Sequence, residues 1–219
     1  MSYILNIETA TKNCSVSLAK DGATIICKEI AEQGYSHAEK LHVFIAEIIN
    51  QAKISMSDLH AVAVSQGPGS YTGLRIGVSA AKGLCYALDI PLIAIDTLTS
   101  LAHQVKQNDG CIVPMIDARR MEVYSAIFNS NKEMIREVQA EILTENSFAN
   151  HSEKIYFIGD SSEKAKLVLS QSNFIFLDEI VFPSANEMSA ISFAKFQNKD
   201  FEDVAYFEPY YLKDFMFAK

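Results

Sequence analysis

The chain has 219 residues, 49% of them hydrophobic and 21% charged, which excludes a disordered chain and leaves room for a buried core. Lys and Arg number 19 against 27 Asp and Glu, a formal net charge of −8 that denies the chain the basic surplus a stand-alone nucleic-acid binder needs to displace counterions from phosphate. The absence of a long uncharged apolar run, of a basic n-region at Met1–Thr11 and of any C-x-x-C among Cys14, Cys27, Cys85 and Cys111 predicts a cytoplasmic protein without a membrane span, carrying free and mostly buried thiols.

In chain order, Tyr3 to Glu8 is a short β-rich run and Cys14 to Lys20 alternates apolar and polar residues. Asp21-Gly22 is a hairpin turn signal, and Ala23 to Ile30 returns as a third strand. Ser36-His37-Ala38-Glu39 has the S-x-x-E form of a capping box and opens a helix with Leu41, Phe44, Ile45, Ile48, Ile49 and Ala52 on one face. His60 to Ser65 reads as a buried strand, a glycine-rich turn follows, and a helix runs from about Gly73 to Leu88. Leu92 to Ile95 is a strand, and Thr97 or Thr99 caps a helix toward Lys106. Residues 1–107 therefore read βββ-α-β-α-β-α, a meander followed by parallel additions.

The second half partly repeats this plan. Cys111 to Asp117, Met121 to Phe128 and Glu133 to Ala140 are strand candidates, the last two joined by Asn129 to Asn131. A helix is expected over Thr144 to His151, a strand over Ile155 to Gly159, and a helix capped by Ser161 or Ser162 toward Leu169. Phe174 to Leu177 is strand-like, Asn186 to Gln197 helical, and Tyr206 to Phe217 an aromatic tail. The expected architecture is two tandem α/β subdomains, 1–107 and 108–219, the second reduced.

The turn Gly67-Pro68-Gly69-Ser70-Tyr71-Thr72-Gly73 lies between a strand and a helix, where a phosphate cradle is sometimes built. It has neither the Lys of a Walker A loop nor the third Gly of a dinucleotide fingerprint, so a structural turn stands ahead of a nucleotide loop. On the helix beyond it, Arg75, Ser79, Lys82 and Tyr86 make one polar ridge. Gly73, Gly77, Ala81 and Cys85 recur every four residues as a row of small side chains. A helix apolar nearly all round is either buried in its own domain or covered by another protein. The second reading is favoured, with Leu41 and Ile45 of the first helix and Gly73, Leu74, Gly77, Val78, Ala81 and Cys85 of the second as its interface.

Gly67 to Gly77 closely resembles the signature of the TsaB family, formerly YeaZ. Ile4 to Thr11 is similar to that family's first strand and turn, Asp117-Ala118-Arg119-Arg120-Met121-Glu122-Val123-Tyr124 to its D-A-R-x-x-E-V-Y hairpin, and Pro209 to Lys213 to its P-x-Y-L-R tail with Lys in place of Arg. The resemblance implies an actin-like, Hsp70-like and sugar-kinase-like ATPase fold. It also implies a role as accessory subunit in making threonylcarbamoyladenosine beside the tRNA anticodon. The implied partners are the catalytic paralogue TsaD, met through the first and second helices, and the small ATPase TsaE. tRNA would be met only within the complex, and a homodimer would form when the chain is alone.

Two departures point to a non-catalytic member. Where superfamily ATPases carry D-x-G-T, this chain has Glu8-Thr9-Ala10-Thr11, and Ala10 restricts a backbone that should approach phosphate. Where TsaD enzymes carry H-x-x-x-H, this chain has His37 and His42, about 140° apart around a helix and unsuited to share an ion. His60, His103 and His151 stand alone. No catalytic, cofactor or metal residue is assigned; ATP or ADP at the interface with TsaD is the one cofactor the resemblance leaves in view. Arg75, Lys82, Arg119 and Arg120 are candidate contacts with RNA or partner, although the Asp117–Glu122 charges read equally as a local ion-pair cluster. The competing readings are an independent ATPase or small-molecule kinase and a peptidase using Ser65, Ser70 or Thr72. The second lacks a base at any telling spacing.

Overall fold

A computed structural model describes residues 1–31 and 37–212. Within it the first meander is β1 (Tyr3–Glu8), β2 (Asn13–Lys20) and β3 (Ala23–Ala31). After α1 (His37–Ala52) comes β4 (Leu59–Gly67), then α2 (Tyr71–Leu88) and β5 (Leu92–Asp96). The strands assemble in the order β3-β2-β1-β4-β5, with β4 and β5 added in parallel to the antiparallel meander. Asp21 (φ 51°) and Gly22 (φ 84°) supply the two left-handed residues of the hairpin turn the sequence predicts. Ser36 of the expected capping box lies outside the described residues.

The second meander is β6 (Cys111–Asp117), β7 (Glu122–Phe128) and β8 (Met134–Ile142), followed by β9 (Ile155–Ile158) and β10 (Phe174–Phe176). Its order, β8-β7-β6-β9-β10, repeats the first sheet strand for strand, with the same antiparallel and parallel pairings. The short helices here are α3 (Thr97–Ala102) and α4 (Ser162–Ala165). Thr144–His151, expected to be helical, folds as successive turns instead. Phe148 sits there at φ 63°, a left-handed backbone that no α-helix accommodates.

The chain forms two compact units, Met1–Thr97 with Pro183–Lys219, and Leu98–Phe182. This differs from a single cut at residue 107, and α5 (Ala185–Gln197) is the reason. In the first unit Leu5, Ile7, Val16, Leu18, Val62 and Val64 pack under α1 and α2, while Ile4, Ala19, Ala61, Ala63, Ile93 and Ile95 pack under Ala185 and Met188 of α5. The second seam is partly polar. Ser17 Oγ donates to the Ala185 carbonyl at 2.7 Å, Asn6 Nδ2 to Ser17 Oγ at 3.0 Å, and Thr24 Oγ1 lies 2.7 Å from Ser189 Oγ. The polar face of β2, which alternation alone assigns to solvent, is thus buried beneath a helix whose contacting residue Ala185 lies 168 residues beyond Ser17. Buried hydroxyls are tolerated there because each is paired.

In the second unit, one face of the sheet packs Ile112, Ile116, Phe128 and Ile158 with Leu98, Leu101 and Val105. The other packs Val113, Met115, Phe157, Ala165 and Leu169. All four cysteines are free, three of them buried, and burial pushes the thiols of Cys14, Cys85 and Cys111 up to about 11. No helix among the described residues is long and apolar enough to cross a membrane.

Candidate functional site

The site is built where two turns of the first unit meet. The β1–β2 turn, Thr9 to Lys12, lies against the β4–α2 turn, Pro68 to Ser70. Gly67 stands at φ 116° before a cis peptide to Pro68, a conformation open to glycine and not to residues with a Cβ. Ser70 caps α2 by accepting from the Gly73 amide at 3.3 Å, and its own amide donates to the Ala10 carbonyl at 2.7 Å. A Cβ at Gly69 would lie 2.4 Å from the Ala10 carbonyl oxygen and 2.8 Å from the Ala10 methyl. The two turns are therefore in direct contact, and two amides at the start of α2 that an anion would use are engaged by the protein itself. The residues present do not fit a nucleotide phosphate at this turn.

Beneath the contact lies Glu8, wholly buried. Its Oε1 accepts from the Ala10 amide at 2.6 Å and from Ser65 Oγ at 2.9 Å, while Oε2 has no partner. Burial raises its carboxyl to about 7, the two hydrogen bonds opposing and the Asp96 charge adding to the rise. Ser65, considered above as a nucleophile, is a hydrogen-bond donor to this carboxyl and sits out of water. Thr9 Oγ1 donates to the Gly73 carbonyl at 2.8 Å. His37, at the start of α1, is buried with Nε2 2.7 Å from the Thr11 carbonyl oxygen, and burial lowers its imidazole below the usual range. His42 is exposed on another face of α1, as the five-residue spacing requires. This constellation fastens a turn.

The expected interface residues require a correction. Leu41, Ile45, Gly73, Leu74, Gly77, Val78, Ala81 and Cys85 are all buried in the first unit's own core. The small-residue row faces inward: a Cβ at Gly73 would meet the Thr9 carbonyl oxygen at 2.1 Å and one at Gly77 would meet Thr9 Oγ1 at 2.2 Å. The close approach that such a row permits is used by the β1–β2 turn, not by another chain. The outward side of α2 carries Thr72, Arg75, Ser79, Gly83, Tyr86 and Ala87, with Ile76, Ala80 and Leu84 half-buried, and α1 exposes Val43. Gly83 has open space where its Cβ would be.

The C-terminal segment engages both Arg75 and Lys82. Arg75 Nε donates to Tyr211 Oη at 3.0 Å and its guanidinium lies 4.0 Å from the Tyr71 ring centroid. Lys82 Nζ donates to the carbonyls of Ala205 and Phe207, at 3.2 and 2.9 Å. The Tyr210 amide donates to the Gln66 carbonyl at 2.7 Å, so the segment passes over the glycine turn. Lys213 lies outside the described residues. In the second unit, Arg119 and Arg120 occupy left-handed backbone at the β6–β7 turn, which Lys164 braces by pairing with Asp117 and donating to the Arg120 carbonyl at 2.9 Å. Among the described residues neither arginine forms an ion pair. His151, read as solitary, lies 3.2 Å from Glu153.

The family model described as "TsaD: tRNA N6-adenosine threonylcarbamoyltransferase" matches residues 25–214. The chain is 30% identical over 221 residues to the tRNA threonylcarbamoyladenosine biosynthesis protein TsaB of Escherichia coli (strain K12), covering 96% of this chain and 94% of that one. It is 34% identical over 135 residues to the TsaB of Bacillus subtilis (strain 168), covering 62% of this chain and 58% of the relative. The structure of YeaZ from Pseudomonas aeruginosa superposes with a TM-score of 0.84 at 23% identity, covering 97% and 100% of the two chains. With the repeated 3-2-1-4-5 sheets, this establishes an actin-like ATPase fold.

Proposed function

Because the chain belongs to the TsaB family, we propose that it is the non-catalytic, activating subunit for threonylcarbamoyl transfer to the adenosine beside the tRNA anticodon. It acts in the cytoplasm with the catalytic subunit TsaD, and TsaE joins the assembly. The observation that carries the reading is the contact between Gly69 and Ala10. The Ser70 amide, which an anion at the start of α2 would use, donates instead to the Ala10 carbonyl at 2.7 Å, so the two turns are closed on each other. The nearest carboxyl, Glu8, is sealed beneath.

The pairing surface is the outward side of α1 and α2, from Val43 to Ile76, Ala80, Gly83 and Leu84. The residues beneath it hold the helices on the sheet and set the surface's shape. Without TsaD the same side pairs two copies of the chain. Arg119 and Arg120, which form no ion pair among the described residues, supply positive charge to tRNA or partner on a molecule whose net charge is −8.

Gly83→Arg tests the pairing. A Cβ at Gly83 has no neighbour within 4 Å and the position is exposed, so the variant is expected to fold with wild-type secondary structure and to elute apart from TsaD in size-exclusion chromatography. A folded variant that co-elutes with TsaD as the wild type does would place the interface elsewhere. Wild-type protein that hydrolyses ATP on its own, with magnesium, would favour an independent ATPase.

A further inference from the structure

In the second unit the fold brings Cys111 to His151 and Glu153, a pair two residues apart that lies 42 residues beyond the thiol at Glu153. Cys111 opens β6, while His151 and Glu153 lie on the stretch leading into β9. The two strands pair in parallel with Cys111 opposite Ile155, so the residues just before Ile155 run beside the thiol. Cys111 Sγ donates to Glu153 Oε1 at 3.1 Å, and His151 Nδ1 lies 3.2 Å from the same oxygen. All three donor atoms fall within 4.8 Å of one another.

Their support is rigid. Asn173 Nδ2 donates to the carbonyls of His151 and Glu153, at 3.0 and 2.8 Å. The Cys111 amide donates to the Lys154 carbonyl at 2.8 Å. Gly110, at φ 66°, approaches that carbonyl so closely that a Cβ would lie 2.3 Å from it. The backbone on both sides of the cluster is thus fixed before any ligand arrives.

We propose that Cys111, His151 and Glu153 form a binding site for a zinc-class divalent cation, with the fourth coordination position open to water. Bond lengths to zinc of about 2.0–2.3 Å place neighbouring donors of a tetrahedron about 3.3–3.6 Å apart. The two contacts at Glu153 need to open by only a few tenths of an ångström. One thiolate, one imidazole and one carboxylate suit a borderline ion; magnesium and calcium prefer all-oxygen sets. Binding replaces the Cys111 S–H···Glu153 hydrogen bond: the thiol proton leaves to solvent, and the thiolate and carboxylate together neutralise the ion. The bound ion would fasten the turns of residues 144–153 to the start of β6.

The test titrates chelator-treated full-length protein with cobalt(II), the spectroscopic stand-in for zinc. A thiolate-to-cobalt charge-transfer band saturating at one ion per chain, displaced by zinc and untouched by magnesium, is expected. Cys111→Ser should abolish the band, and Glu153→Gln and His151→Gln should each weaken cobalt binding at least about tenfold. Calorimetry in two buffers of different ionisation heat should read about one proton released per ion. No saturable band, or a band unchanged in Cys111→Ser and so arising from another thiol, would overturn the proposal. Because Glu153 is exposed, its variant reports on the site even if the Cys111 variant folds poorly.

Discussion

Gly77 faces Thr9 so closely that a Cβ on the glycine would lie 2.2 Å from the threonine hydroxyl oxygen, which already donates to the Gly73 carbonyl. Six residues further along the same helix, Gly83 faces open space. Two helical glycines thus make opposite demands. Gly77→Ala is expected to destabilise by roughly 1–3 kcal/mol through overpacking, and Gly83→Ala to stabilise by roughly 0.5–1 kcal/mol through reduced backbone freedom in the unfolded chain. Urea midpoints at constant m-value check both. Equal and small effects at the two positions would contradict the inward orientation of the small-residue row.

Glu8 makes stability fall as pH rises. Its folded-state carboxyl sits at about 7, against 4.5 for the ordinary side chain, so the native protein holds this proton more tightly than the unfolded chain does. Between pH 4.5 and about 7 that preference is progressively lost, and above it the group disfavours folding by about 3 kcal/mol relative to low pH. Glu8→Gln keeps an acceptor for Ala10 and Ser65 without a titrating proton. The variant should exceed wild type in stability at pH 8 and lose the advantage near pH 4.5. A wild-type-minus-variant difference that is flat across this interval would refute the burial of an ionisable Glu8.

Lys82 secures the C-terminal segment through two carbonyls. Lys82→Met retains most of the aliphatic stem and removes both donors. Hydrogen exchange at the amides of Ala205 to Tyr210 is expected to quicken, while β1 amides keep their protection. Unchanged exchange in the segment would mean that Tyr211 and the Gln66 contact hold it unaided.

Arg119 and Arg120 are expected to affect function without affecting folding. The double alanine variant should remain within about 0.5 kcal/mol of wild type. In a reconstituted reaction with TsaD and TsaE it should lower tRNA modification at low salt and show a shallower salt dependence than wild type, because fewer phosphate charges are neutralised. Full modification by the variant at all salt concentrations would remove these arginines from any contact with RNA or partner.

Most strands are legible within a residue or two, because strands such as β2 and β7 carry a buried apolar set and run into clear turn residues, Asp21-Gly22 and Asn129. The position of α5 was not legible. It docks through Ala185 and Met188 together with Ser189 and hydrogen bonds to Ser17 and Thr24, so its covered face mixes polar with apolar residues, and β2 looks half-solvated in sequence. The small-residue row on α2 was legible as a close approach, but spacing alone does not say which backbone approaches. The pairing of Cys111 with His151 and Glu153 depends on β6 and β9 lying side by side, a relation between residues 40 apart that no local pattern encodes. The polar ridge of α2 is legible as one face, and two of its members, Arg75 and Lys82, bond to the chain's own C-terminal segment.

The most direct measurement is reconstituted threonylcarbamoyl transfer to tRNA, followed by nucleoside mass spectrometry. TsaD, TsaE and a supply of threonylcarbamoyl adenylate are assayed with and without this chain, and the chain is assayed by itself with the same adenylate. Modified adenosine is expected only when the chain and TsaD are both present. Full modification in its absence, or modification by the chain alone, would contradict its role as a subunit that activates without catalysing.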